Sequence, residues 1–227
     1  GIPDAQESRG LGDVYKRQTD INTVRGQETG YPTWNPLRVS GQTLSNNNMT
    51  ATGNSGNVLG SMFTPTSGKF YWEVTAGSDY TMTGIQRENN YDMSYPGNST
   101  GQIAMYLNTG VGSGQLYEAG SITSSWGGGV TGDIIGVAYN ADDAEITFYK
   151  NGASQGTITG LTTGIFMFPT IADSGTATDP VFECNFGGTL TYSISSGNAD
   201  GNGYGNFEYA PPSGYYSICT KNLAEFG

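Results

Sequence analysis

Asp143 and Glu145 stand two residues apart, the spacing that places two carboxyl groups on one face of a strand. Glycoside hydrolysis uses such a pair, an acid with a nucleophile or base roughly 5 to 9 Å away. The fuller patterns E-x-D-x-E and E-x-D-x-x-E are absent from the chain. This pair falls at the turn Asn140–Ala144 and the first strand residue after it, so solvated surface charge is the expected role and no catalytic residue is assigned. Histidine is missing altogether. That removes Ser-His-Asp and Cys-His nucleophile systems, imidazole general bases and His-containing zinc sites. Asn198-Ala199-Asp200-Gly201-Asn202-Gly203 has the outline of a calcium loop, but its first position is Asn and Tyr209 stands where the closing Glu belongs. A Gly/Asn turn is expected there, with no metal and no cofactor. Cys184 and Cys219 are expected as buried free thiols, a 184–219 disulfide being the lesser alternative.

Two aromatic loops are the better candidates for binding. Arg87–Gly101 carries Tyr91, Asp92, Met93, Tyr95 and Pro96, and Tyr117–Val130 carries Tyr117 and Trp126 ahead of Gly127-Gly128-Gly129. Tyrosine offers wide amphipathic contact area at small entropic cost, which suits recognition loops. Tyr91, Asp92, Tyr95, Tyr117 and Trp126 are therefore the candidate ligand-binding residues. The alternative, that these aromatics tuck beneath their own loops, stands beside it.

The segments that must hold those loops are strands. Glycine accounts for 36 of 227 residues and charged residues for only 13%, the composition of a turn-rich β protein. Lys69–Val74 alternates, with Phe70, Trp72 and Val74 on one face and Lys69, Tyr71 and Glu73 on the other, as a half-buried strand does. Ile134–Tyr139, Glu145–Lys150, Gln155–Ile158, Phe166–Ile171 and Val181–Phe186 follow, separated by turn signals such as Asn151-Gly152. Pro169 is expected to push its strand to an edge or a bulge. Trp34, between prolines, is expected to pack a chain end onto a sheet. No three-turn amphipathic helix and no membrane-length apolar run is present, so the chain is expected to be all-β, without membrane insertion. The net charge of −11 argues against a nucleic-acid partner.

Three segments resemble the SPRY domain. Gly68-Lys69-Phe70-Tyr71-Trp72-Glu73-Val74 is similar to its "GKxYxEV" strand, followed by Thr83-Gly84-Ile85. Gly132–Tyr139, with Ile146–Gly152 and Gly156, resembles its central hairpin; Phe168–Ile171 and Phe182–Gly187 resemble its closing strands. The resemblance implies a bent antiparallel β-sandwich, a concanavalin-like jelly roll, over residues 48–223. It also implies a non-catalytic module that binds partners through loops at one rim.

The flanks extend the resemblance. Thr33-Trp34-Asn35-Pro36-Leu37 with Leu44-Ser45-Asn46, and Tyr209–Leu223, look like the entry and exit segments of SPRY units in tailed-phage structural proteins. This implies a tail-fibre or capsid protein of a virion, with a host-surface protein or glycan, or another virion protein, as partner. A concanavalin-like carbohydrate-binding domain and a purely structural spacer are the alternatives. Residues 19–47 form an extended lead-in. Ser8–Gln18 matches, residue by residue, one translated frame of an adapter used in DNA sequencing, so residues 1–18 are set outside the fold. They contain Asp4, Glu7 and Asp13 against Arg9, Lys16 and Arg17, so the charge of −11 belongs to the remainder. The adapter match implies environmental DNA and a reading frame cut at its ends.

Overall fold

The computed structural model describes residues 30–89, 91, 93, 95–107, 114–118, 121–126, 128–175, 179–188 and 190–227. Its strands form two sheets. The first has seven, in the order β1 (Trp34–Ser40), β4 (Asn57–Gly60), β13 (Met167–Asp173), β6 (Thr81–Arg87), β7 (Ile103–Tyr106), β8 (Gln115–Glu118) and β9 (Ser121–Ser125). The second runs β12 (Ala153–Thr159), β11 (Glu145–Lys150), β10 (Ile134–Asn140), β5 (Lys69–Thr75), β14 (Val181–Asn185), β3 (Thr50–Thr52) and β2 (Thr43–Ser45). An eighth, β15 (Tyr216–Ser217), adds in parallel to the start of β5, ahead of the helix α1 (Thr220–Phe226). The architecture is an antiparallel β-sandwich, as the strand pattern predicts.

Local chemistry sets the register. Asn151 and Gly152 both have positive φ, 49° and 78°, the type I′ turn that matches strand twist and joins β11 to β12 with Lys150 opposite Ala153. Asn151 Oδ1 accepts from the Ile134 N–H at 2.9 Å, and Asn151 Nδ2 donates to Asp133 Oδ1 at 2.7 Å. Asp133 Oδ2 accepts from the Val130 N–H at 2.9 Å, so the carboxylate caps its own turn. Between the sheets, Phe70, Trp72, Val74, Val137, Phe148 and Phe182 face Val58, Ile85, Ile103, Met105 and Ile171 in one continuous core. Each such side chain contributes about 1.5–3 kcal/mol by leaving water.

Pro169 departs from expectation. It lies on β13, which is central, opposite Ile85 of β6. The β13–β4 ladder reaches only Thr170, and the proline ring packs against Gly60 instead, so its missing N–H interrupts no pairing with β4. The lead-in supplies edge strands to both sheets, with Trp34 fully buried and edge-on to Phe186 at 5.6 Å.

The second departure concerns β5. Tyr71 and Glu73 belong to its expected solvent face, yet both are buried, Glu73 completely. The chain after β14 returns across the outer side of the second sheet and covers them. Phe207 meets Tyr71 edge-on at 5.1 Å, and the N–H groups of Glu208 and Tyr209 donate to the Glu73 carboxylate at 2.9 and 2.8 Å. Tyr71 Oη and Asn185 Nδ2 donate to it at 3.0 and 3.2 Å. No Lys or Arg pairs with it among the described residues. Burial pushes the Glu73 pKa up, and the four donors pull against that shift.

Two predictions follow from this packing. Glu73→Gln leaves an amide NH2 facing backbone donors and should lower stability by about 1–3 kcal/mol in denaturant melts. Because the folded-state pKa of Glu73 is raised, its contribution is complete below the unfolded carboxyl pKa and is lost as pH rises through the folded value. The deficit of the Gln variant should therefore be largest near pH 4 and shrink toward neutrality. A Cβ at Gly84 would stand 2.0 Å from the Ile103 carbonyl oxygen, so β6 and β7 close up only around glycine. Gly84→Ala should cost about 1–3 kcal/mol, seen as a lowered melting temperature.

Candidate functional site

The strands β6, β7 and β13 turn alternate residues away from the core, and these too are buried. Met82, Ala104, Tyr106 and Ala172 form a second apolar cluster, and Gln86 and Thr170 beside it have no accessible surface. Thr170 Oγ1 donates to Asn57 Oδ1 at 2.5 Å and accepts from Gln86 Nε2 at 3.2 Å, which satisfies this polar row. The β6–β7 connection contributes to this face: its Tyr95 lines a hollow together with Met82, Tyr106 and Ser174 at the far end of the strands. It then returns to Gly101, whose φ of +78° and contact with the Arg87 side chain leave no room for a Cβ. A turn closes it, with Gln102 N–H donating to the Ser99 carbonyl at 3.0 Å and Ser99 N–H to Gln102 Oε1 at 3.3 Å.

Two surfaces result. At one end the Arg38 guanidinium lies between the rings of Tyr91, at 4.6 Å, and Phe168, at 5.0 Å. Phe63 adjoins it, 4.5 Å from Phe166 and 5.9 Å from Phe168. Phe63 and Tyr91 are each 41% exposed and Leu37 is 91% exposed. Arg38 Nη1 is buried and has no hydrogen-bond partner among the described residues. Asn35 Oδ1 accepts from the Leu37 N–H at 2.9 Å, a local turn within the irregular stretch of β1 that turns Leu37 outward. At the other end is an open groove of about 580 Å³, walled by the turns Ser40-Gly41 and Ser55-Gly56 and by Met93 and Tyr95. Asp173 and Ser174 complete it.

The five candidate residues separate. Tyr91 and Tyr95 sit on this face, one on each surface, and Tyr95 is 37% exposed. Asp92 lies outside the described residues, as does the side chain of Tyr117, whose backbone pairs with Ala104 and Ile122. Trp126 takes the tucked position, 7% exposed within the main core. Its indole occupies the space beside Gly114, and Lys150 Nζ lies 5.5 Å above the ring while donating to the Gly128 carbonyl. Leu37, Arg38, Phe63 and Phe168 were not anticipated; the Asn35-Pro36 break in β1 was the available signal.

The polar motifs find internal partners. Asn140 Nδ2 bridges Asp143 Oδ2, at 2.7 Å, and Glu145 Oε1, at 3.1 Å. That amide, with the Lys69 ammonium 3.1 Å away, holds the Asp143 carboxyl below its usual range. Asp200 Oδ2 accepts from Ser217 N–H, Ser217 Oγ and Asn222 Nδ2, each at 2.8 Å. Its Oδ1 accepts from Asn202 and Tyr204 N–H at 2.9 and 3.0 Å, so the loop is closed by protein donors. No group of three His, Cys, Asp or Glu positioned for a metal occurs among the described residues. Cys184 and Cys219 are both buried and free, and burial pushes the Cys184 thiol well up.

No curated protein matches this chain. The SPRY domain model matches residues 69–207, more than half of the chain. Among solved structures, the SPRY domain of human HERC1 is similar at 19% identity and TM-score 0.55, covering 66% of this chain and 96% of its own. The TRIM65 PSpry domain is similar at 15% identity and TM-score 0.56, covering 68% and 89%. Stonustoxin is similar at 16% identity and TM-score 0.55, covering 67% of this chain and 28% of its own. With the two-sheet sandwich, the β5 strand and the β10–β11–β12 hairpins all matching, the chain belongs to the SPRY domain family.

Proposed function

We propose that this SPRY domain is a non-catalytic recognition module of a phage or prophage virion protein, and that it binds a host-surface protein through the patch around Arg38. The observation that carries the reading is a guanidinium set against two rings, beside exposed Leu37, Phe63 and Tyr91. Aromatic side chains and arginine are the residues that dominate binding energy at protein interfaces. Arg38 is half-buried, and a carboxylate on the partner suits it best because its bond to guanidinium is charge-assisted. The virion setting rests on the entry segment Thr33–Leu37 and the exit segment Tyr209–Leu223, which resemble those of tailed-phage structural proteins. A structural spacer without ligand is the second reading, and the same experiment separates the two.

Fluorescently labelled protein should bind bacterial cells from the source community, and protease treatment of the cells should remove the binding. The triple variant Arg38→Ala, Phe63→Ala, Tyr91→Ala should bind at least about tenfold more weakly, since each 1.4 kcal/mol is a factor of ten and several contacts are lost. Undiminished binding by the variant would reject the patch, and no binding by either protein to any host tested would favour the spacer. Tyr91→Ala alone should lower folding stability by about 0.5–1 kcal/mol, the loss of one partly exposed cation–π contact.

A further inference from the structure

We propose that the groove beneath the tip of the β6–β7 loop is a binding site for a neutral saccharide, separate from the Arg38 patch. The groove of about 580 Å³ continues into a hollow of about 270 Å³ over Met82 and Tyr106, the two sharing Tyr95 and Ser174. Sites for small organic ligands span roughly 300–1,000 Å³.

Its chemistry is narrow. Ser40, Ser55 and Tyr95 present hydroxyl groups, each able to donate and accept, while Ser174 Oγ donates to Tyr106 Oη at 2.9 Å and keeps its lone pairs for a ligand. Tyr95 is 37% exposed, and Tyr80, 39% exposed, stands 6.3 Å from Tyr106 at the edge of the hollow. No Lys or Arg is among the described lining residues. The one carboxylate among the described lining residues, Asp173, is engaged by Ser78 Oγ at 2.5 Å and by the Gly175 N–H at 2.8 Å, and it is almost entirely buried. An anionic ligand meets no counter-charge in the groove, and it approaches a protein of net charge −11. A purely apolar ligand leaves the serine hydroxyls unpaired. A neutral sugar satisfies both kinds of wall: its hydroxyls pair with the serines, and its C–H face lies on the negative face of a tyrosine ring.

The wall is also preformed. Gly41 (φ +69°) and Gly56 (φ +75°) press two turns together backbone to backbone, and a Cβ at Gly56 would stand 2.0 Å from the Ser40 carbonyl oxygen. Neither turn needs to move for a ligand to enter, which lowers the ordering penalty of binding.

The test uses the full chain in saturation-transfer NMR against methyl glucoside, galactoside and mannoside, with maltose, lactose, glucuronate and sialic acid. At least one neutral sugar should bind with a dissociation constant on the order of a millimolar, the strength a ligand of this size reaches in an open site. Both acidic sugars should be silent. Tyr95→Ala should weaken binding about tenfold or more. Ser55→Val, on the opposite wall at an exposed turn, should do the same should Tyr95→Ala fail to fold. Arg38→Ala should leave sugar binding at the wild-type level while weakening attachment to cells, so failure of this site and failure of the Arg38 patch are distinguishable. Absence of binding by every neutral sugar, equal binding of the acidic ones, or binding indifferent to both groove variants would overturn the proposal.

Discussion

A carboxylate without a cation is tolerated inside a protein only when its oxygens are saturated with donors, and Glu73 imposes that condition on this fold. Two of its four donors are backbone N–H groups of residues 208 and 209, and a third is Asn185 at the end of β14. The segment after β14 is thus held across the outer face of the second sheet. Along with it come Phe207, which closes over Tyr71, and Asp200, whose carboxylate gathers Ser217 and Asn222 and so seats β15 and α1. Removing that segment from the sheet would expose a row of buried side chains and leave water to replace two of the four donors to Glu73.

With the outer face of the second sheet covered by the exit segment, both proposed binding surfaces fall on the first. There Met82, Ala104, Tyr106 and Ala172 form an apolar strip that the strands turn outward. The β6–β7 connection places Tyr91 beside Arg38 at one end and Tyr95 beside the Ser-Gly turns at the other. The two ends differ in chemistry, a cation among rings against hydroxyls beside tyrosine, because each is completed by a different part of the first sheet.

Membership in the SPRY family accounts for the sandwich and says little about the ligand. The solved structures that resemble this chain do so at 15–19% identity, a level at which the backbone is shared and the loop chemistry is not. Function on such a scaffold belongs to the grafted surface. Here that surface draws on β1, the loop before β5, the β6–β7 loop and β13, four segments far apart along the chain.

The strands were legible because their signals are local. Period-two alternation in Lys69–Val74, the Asn151-Gly152 turn and the β11 run Glu145–Lys150 each depend on neighbours within a few residues. The Asn/Asp turns were legible for the same reason, and Asp133 caps its turn as its position implied. Tyr91 and Tyr95 could be singled out by composition alone. What surrounds Tyr91 could not, since Arg38 meets it and Phe168 meets Arg38 only because β1 and β13 are joined in one sheet through β4. Trp126 in a glycine-rich loop has the same sequence signature whether its ring faces a ligand or the core, and only the space left beside Gly114 decides it. Pro169 at the centre of a sheet and Glu73 buried on the polar face of β5 share that physical reason. Alternation along a strand tells which residues share a face, whereas burial of that face depends on a covering segment supplied from elsewhere in the chain.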